Sequence, residues 1–383
     1  LTRAGALFEP AKESEETMEQ AGGNVISLTR GNPAEEALPI ADIVECANTI
    51  FRQEGKVLFQ YGHYSGYRPL REWIADRYGV HVDQVLIGNS SMEFFTFIGS
   101  VMVNPGDTVY LEYPSYDRAI TAMRRIGADL RGIPLEPDGV DMEALKKELK
   151  KRPPKVFYII PDFQNPSGVT ASLEKRKELV RLAGEYDFTL IEDSPYRFLR
   201  YRGEELPTLR ELFPEKVLHI CSFSKILSPG MRVGFLIGPK DMMPRFHKWS
   251  EDTYIHPTLV TEGITYEYCR RGLLDPNIDR LKALYRPRLE AMLSALEKHL
   301  EGAEWIRPEG GFFISATLPE NGDGRGVVEN ARQFGIVLTD GRGFFTDGKG
   351  ENFVRLPFCA LTPEQIDEGV KRLARAVDAH RRQ

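Results

Sequence analysis

The sequence predicts an α/β protein, a mostly parallel sheet covered by helices, with a smaller α+β unit attached. Three observations carry this. Through the middle of the chain, short apolar runs rich in β-branched and aromatic residues alternate with longer amphipathic runs. Gly, Pro, Asn and Asp punctuate the runs. From about Met242 onward the texture changes to long helical stretches. Strand–helix alternation is the pattern of parallel strands joined by crossover helices, and ligands of such sheets bind beyond the carboxyl ends of the strands.

Val85–Ile87, Thr108–Tyr113, Val156–Ile160, Thr189–Glu192, Val217–Cys221 and Val233–Ile237 read as buried strands. Ser91–Val103, Ser115–Ile126, Met142–Lys150 and Leu173–Tyr186 have helical spacing between them. A further helical stretch runs from Met242 towards Arg270, broken near His256-Pro257, and another from Ile278 to Leu300. Short strands around Phe312–Thr317 and Phe353–Leu356 follow, then a last helix, Pro363–Ala379. The segment before Pro39 is short and irregular, and is expected to pack with this C-terminal unit. The expected division is a large domain over 41–276 and a small domain formed by 1–40 and 277–383.

The 383 residues carry a formal net charge of −6. That argues against a nucleic-acid partner gripped by a basic face. No stretch approaches the roughly 18 apolar residues of a membrane span, so no membrane partner is expected. Leu1 to Gln20 is polar and acidic, without the basic and apolar regions of a secretion signal. Cys46, Cys221, Cys269 and Cys359 are far apart and form no CxxC, as reduced thiols of a cytoplasmic protein would be. The histidines are scattered and no HExxH occurs, so no metal is expected.

Two glycine-rich runs are decoys. Gly343-Phe-Phe-Thr-Asp-Gly348-Lys349-Gly350 nearly spells a phosphate-binding loop, but Gly350 stands where a magnesium-binding hydroxyl is needed. A strand follows it where a helix is required, so it reads as a hairpin loop. Gly322-Asp-Gly-Arg-Gly326 reads as a turn before a helix.

The strongest feature is Ser222-Phe-Ser224-Lys225-Ile-Leu-Ser-Pro229-Gly230-Met-Arg232-Val-Gly234, lying between two apolar strands. A lysine beside an arginine loses basicity, and imine chemistry needs a neutral amine. Ser and Arg supply hydrogen bonds and charge to a dianion. Two other strand ends supply matching parts. Asn165 lies in the run Ile160-Pro161-Asp162-Phe163-Gln164-Asn165-Pro166-Ser167-Gly168; Asp193 and Tyr196 lie in Glu192-Asp193-Ser194-Pro195-Tyr196. An aspartate at a buried strand end is costly unless a cation meets it, and a protonated pyridine nitrogen is one. Asparagine and tyrosine can hydrogen-bond a phenolic oxygen. Together these residues describe a cradle for pyridoxal phosphate.

With these motifs, the sequence resembles the fold-type I pyridoxal-phosphate enzymes of the class I/II aminotransferases, nearest the branch of 2-aminoadipate and kynurenine aminotransferases. The resemblance runs from about Val25 to the end and implies a mostly parallel seven-stranded sheet. It implies that Lys225 forms the internal aldimine and moves the proton, and that Asp193 keeps the ring nitrogen protonated. Asn165 and Tyr196 would bond the phenolic oxygen, while Ser222, Ser224 and Arg232 bind the phosphate. Ser90-Ser91-Met92 opens a helix whose amides add to that site. Two positions depart from the family, which usually has glycine where Ser90 stands and a polar residue where Met92 stands. Tyr116 resembles the aromatic residue stacked on the ring.

The run Tyr61-Gly62-His-Tyr64-Ser-Gly66 resembles the segment whose first tyrosine reaches a phosphate in the other subunit, which implies a homodimer. Asn352-Phe-Val-Arg355-Leu resembles the segment whose arginine clamps the substrate α-carboxylate. Arg30, in Thr29-Arg30-Gly31-Asn32, stands where near relatives usually carry glycine. It has two readings, a contact to a side-chain carboxylate or a change in the pocket mouth. Gly31 and Tyr64 read as wall residues. The expected reaction is a ping-pong transamination between an L-amino acid and a 2-oxo acid, with 2-oxoglutarate and glutamate as one pair. The cradle alone leaves open another reaction on the same cofactor, such as β-elimination, cyclisation or racemisation. A regulator built on this domain would need a DNA-binding module ahead of it, and only about forty residues precede Ile43.

Overall fold

The computed structural model describes residues 25–29, 31–319 and 324–381. In chain order its strands are β1 (Ile26–Leu28), β2 (Val85–Gly88), β3 (Thr108–Tyr113), β4 (Asp129–Glu136), β5 (Gly139–Val140), β6 (Val156–Ile159) and β7 (Thr189–Asp193). Then come β8 (Val217–Ser222), β9 (Gly234–Ile237), β10 (Glu304–Trp305), β11 (Phe313–Thr317), β12 (Ile336–Leu338) and β13 (Phe353–Pro357).

Among the described residues the large sheet has eight strands in the order β2-β9-β8-β7-β6-β3-β4-β5. The strands from β8 to β4 run parallel. β9 is antiparallel to both β8 and β2, so β2 points the same way as β8. The carboxyl ends of β2, β3, β6, β7 and β8 therefore share one edge, and the residues just beyond them are neighbours. This is one strand more than the seven expected. The extra strand, β5, is two residues that fold back on β4. β4 itself carries Gly132 and Pro134 and is only partly buried, so it lacks the apolar run that marks the interior strands.

Alternation along the strands sends residues to two apolar layers. Val109, Leu111, Tyr158 and Ile191 enter one; Tyr110, Phe157, Ile159 and Leu190 enter the other. The covering helices begin and end where local chemistry directs. Asp141 caps Met142–Lys151 by accepting from Glu143 and Ala144 N–H, and Ser172 caps Leu173–Glu185 by accepting from Lys175 N–H. Asp117–Ile126 ends on Gly127 at φ 84°. The stretch after Met242 forms two helices, Met243–Tyr254 and Leu259–Arg270, parted at Ile255, whose φ is 71°.

Among the described residues, β1 and the C-terminal elements meet away from the large sheet. β1 pairs in parallel with β12, and β10, β11 and β13 form a second small sheet. The helices Leu274–His299 and Pro363–Arg381 pack on each other behind them. Gly343–Gly350 is a connection from β12 to β13, which do not pair, so it is not a hairpin. Part of the Gly322–Gly326 turn lies outside the described residues, and a helix begins at Gly324.

Candidate active site

The shared edge of the sheet opens on a cavity of about 390 Å³. Lys225, Asp193, Tyr196 and Asn165 line it from the ends of β8, β7 and β6. Ser91 and Tyr116 line it from two helix starts, and Gly31 and Arg355 from the two chain ends.

Lys225 follows β8, and its Nζ donates to the carbonyl of Gly31 at 2.9 Å. Burial lowers its pKa; Cys359 opposes this, and Arg355 and Arg232 add to it. An amine so placed gives up its proton more easily than a surface lysine. Gly31 is required at that crossing, because a Cβ there would lie 2.2 Å from the Phe313 ring.

Asp193 ends β7 and is buried. The Tyr158 hydroxyl donates to its Oδ2 at 2.9 Å, whereas Oδ1 is buried with no partner. Burial pushes the carboxyl up to about 7, and the Tyr158 bond pulls it back. An unpartnered carboxylate oxygen is costly unless a donor or cation meets it.

Asn165 sits on a loop pinned from below. Glu112, at the end of β3, accepts from Ile160 N–H at 3.0 Å and from Gln164 Nε2 at 3.1 Å. Gln164 Oε1 in turn accepts from Ser167 N–H at 2.8 Å and from its hydroxyl at 2.6 Å. Arg355, on β13, donates from Nη1 to Asn165 Oδ1 at 3.0 Å and from Nη2 to Thr29 O at 2.5 Å. Its guanidinium lies over the rings of Phe344 and Phe313, at 4.6 Å and 4.8 Å. Burial lowers its pKa, a penalty on the cation that an anionic partner would offset.

The other predicted residues sit at the rim or away from it. The Ser222 hydroxyl donates to Ser224 Oγ at 2.9 Å. Arg232 is exposed and holds a left-handed φ of 54°. Ser90 precedes the helix Ser91–Met102 at φ 143°, a conformation that favours glycine, and its side chain makes no capping bond. Gly234 lets that helix start approach β9, since a Cβ there would lie 2.6 Å from Ser91 N. Met92 is partly buried against the apolar core. Tyr61 lies in a separate groove, edge-on to His256 at 5.8 Å between ring centroids. Tyr64 lines a different cavity, beside Arg71 and His247. Arg30 lies outside the described residues.

Sequence reasoning missed Tyr158, the Glu112–Gln164 support, and the Phe313 and Phe344 rings against Arg355. It also missed Asp117 and Arg118, which line the cavity mouth. One signal for Tyr158 was available. It is paired in register with Ile191, so it shares a sheet face with Ile191 and hence with Asp193.

The lysine after β8, the half-satisfied aspartate after β7 and the clamped asparagine after β6 fit a pyridine ring carrying a phosphate. With this sheet order they define a fold-type I pyridoxal-phosphate enzyme. More narrowly, the chain belongs to the class I and II aminotransferases, whose family model matches residues 23–373. It is 35% identical over 92% of its length to an aromatic-amino-acid aminotransferase of Thermococcus litoralis, covering 88% of that protein. A multiple substrate aminotransferase from Thermococcus profundus superposes with a TM-score of 0.93 at 34% identity, covering 99% of this chain and 98% of that one. An alpha-aminoadipate aminotransferase from Thermus thermophilus, solved with N-(5'-phosphopyridoxyl)-L-leucine, superposes with a TM-score of 0.90 at 32% identity, covering 98% of each. The relatives thus include the aminoadipate branch. The chain is an aminotransferase and its cofactor is pyridoxal 5'-phosphate. No helix among the described residues is long and apolar enough to cross a membrane.

Proposed function

We propose that this cavity moves an amino group from an L-amino acid to a 2-oxo acid, in two half-reactions through one site. 2-Oxoglutarate and glutamate form one pair. The observation that carries the reading is the convergence of Lys225, Asp193 and Arg355 on one cavity.

When bound, pyridoxal phosphate supplies an electron sink that makes the Cα–H of an amino acid acidic. The chain supplies the rest. Lys225 carries the cofactor covalently at rest and moves the proton at Cα once substrate has released its amine. Asp193 Oδ1 holds the proton on the ring nitrogen. Asn165 and Tyr196 bond the phenolic oxygen, and Tyr116 stacks on the ring. Arg355 grips the α-carboxylate, which sets the Cα–H bond relative to the ring. Ser222, Ser224, Arg232, Ser90 and the amides of Ser91 and Met92 bind the phosphate.

The active unit is a homodimer in which Tyr61 completes the partner's phosphate site. Supporting this, Tyr61 is 76% exposed and shares its groove with the exposed side chain of Phe59. The two-domain division, 41–276 against both chain ends, is part of the same reading, supported by β1 pairing with β12. Four buried cysteines with free thiols suit a cytoplasmic enzyme. Gly31 and Tyr64 are wall residues for side-chain choice, and Arg30 either meets a side-chain carboxylate or alters the pocket mouth.

A donor panel tests the function. L-Glutamate, L-2-aminoadipate and aromatic amino acids should each convert bound cofactor to its pyridoxamine form, followed by absorbance. Release of ammonia and pyruvate without that conversion would sink the reading. Arg30→Ala should weaken the acidic donors and spare the aromatic ones if Arg30 meets a side-chain carboxylate.

A further inference from the structure

Tyr158 lies in the middle of the sheet, and its ring is fully buried. Phe95 packs on it edge-on, with ring centroids 5.1 Å apart. Its hydroxyl donates to Asp193 Oδ2 at 2.9 Å. The other titratable groups whose charge acts on Asp193 are the acids Glu112 from β3, Tyr116 before its helix, Tyr196 after β7 and Cys221 from β8. The cations Lys225, Arg355 and Arg118 line the same cavity, and none of them bonds the Asp193 carboxyl. Among the described residues no cation pairs with Asp193, and Oδ1 has no partner. The Tyr158 hydroxyl is therefore the one protein donor that favours the charged carboxylate.

A neutral Asp193 cannot hold a proton on a ring nitrogen by charge. Burial alone drives the carboxyl towards that neutral form. The hydroxyl also fixes which oxygen is used, because the bond at Oδ2 leaves Oδ1 free.

We propose that Tyr158 is a positioning residue for the cofactor: its hydroxyl keeps Asp193 ionised and turned so that Oδ1 meets the ring nitrogen. This rests on the role given to Asp193 above. The rival is a tyrosine that only packs against Phe95.

Tyr158→Phe separates the two, since it keeps the ring and removes one oxygen. The first readout is the affinity of the cofactor-free dimer for pyridoxal phosphate, by equilibrium dialysis from pH 6 to 9. The second is the ¹⁵N shift of ring-labelled cofactor once bound. Loss of one hydrogen bond to a charged group is worth roughly tenfold, or about one pH unit. The variant should bind about tenfold more weakly at pH 7, and its binding midpoint should move up by about one unit. The ¹⁵N shift should move towards the unprotonated ring. In an Asp193→Asn background, Tyr158→Phe should change nothing further.

A variant equal to wild type in both readouts, with Asp193→Asn still impaired, overturns the proposal and leaves Asp193 its role. If Asp193→Asn is itself silent, the reading of Asp193 falls, and the proposal with it. Should Tyr158→Phe fail to fold, site-specific 3-fluorotyrosine at position 158 serves instead. A more acidic hydroxyl is a stronger donor, so the midpoint should move down. A midpoint that stays or moves up overturns the proposal.

Discussion

The floor and the rim of the cavity are built by different physics. The floor is Asp193, Asn165 and Arg355, buried residues held by Tyr158, the Glu112–Gln164 pair and two aromatic rings. Strands place Asp193 and Arg355, and a pinned loop places Asn165. The rim is Ser90 and Arg232, and Tyr61 lies in a separate groove from which the proposed dimer would bring it to a partner's rim. Ser90 and Arg232 hold positive φ, and Arg232 and Tyr61 are exposed. Loops place these, at a backbone cost of about 1–3 kcal/mol each where φ is strained.

Lys225 stands where the two regions meet, so its removal has the largest effect. Lys225→Ala should lower turnover by about 10⁴-fold, the upper range for a positioned base, and remove the absorbance of covalently held cofactor. A variant with ordinary turnover would break the assignment of both regions at once. The second prediction concerns the rim alone. Mixed dimers of Lys225→Ala and Tyr61→Ala subunits should regain activity, because one of their two sites has both native residues. Random pairing gives roughly a quarter of the wild-type rate in a symmetric dimer. No recovery above the two parents means that Tyr61 acts within its own subunit.

The difference between floor and rim also explains what the sequence revealed. Lys225, Asp193, Asn165 and Arg355 lie far apart in the chain, yet Asp193 and Arg355 lie in apolar strands and Lys225 and Asn165 in the loops that directly follow two others. Parallel strands put their ends on one edge, so Lys225, Asp193 and Asn165 could be gathered by pattern, whereas Arg355 lies on the small sheet and was reached through the family resemblance of its segment. Tyr158 could not, because a tyrosine inside an apolar strand looks like core until register pairs it with Ile191. β4 escaped notice because Gly132 and Pro134 break its pattern at the sheet's flank. Phe344 lies in a glycine-rich connection whose only local signal was that of a loop, and its contact with Arg355 is a product of tertiary packing. The positive φ of Ser90 explains why glycine suits that position, although the sequence alone gave only the residue.

The third prediction sharpens the floor through pH. Burial raises Asp193 to about 7 and Glu112 to about 8. Glu262, which accepts from Tyr67 N–H, is also raised to about 8. In the unfolded chain all three ionise near pH 4. Between about pH 4 and these folded values the native state holds more protons than the unfolded state, so stability falls as pH rises. The slope is at most about 1.4 kcal/mol per pH unit for each group. Melting of the cofactor-free protein from pH 5 to 8 should show this fall, and Glu112→Gln should flatten it. A melting temperature that climbs over that range and does not respond to Glu112→Gln would mean these buried carboxyls are ionised throughout.

The smallest effect tests the rim's strain. Ser90 holds φ 143° and ψ 169°, a region open to glycine and costly for other residues. Ser90→Gly relieves that cost and loses part of it to the greater freedom of glycine in the unfolded chain. The net expectation is about 1 kcal/mol of added stability for the cofactor-free protein, read from its denaturation midpoint. Cofactor affinity then separates two causes for the serine. If its hydroxyl bonds the phosphate, the variant is more stable yet binds pyridoxal phosphate more weakly, and the strain is retained for binding. If stability rises and affinity holds, the helix amides alone carry that contact, and the rim owes its grip to backbone geometry as the floor owes its own to strands and a pinned loop. A loss of stability would show instead that the surrounding packing, Gly234 against Ser91 above all, already accommodates the serine without strain.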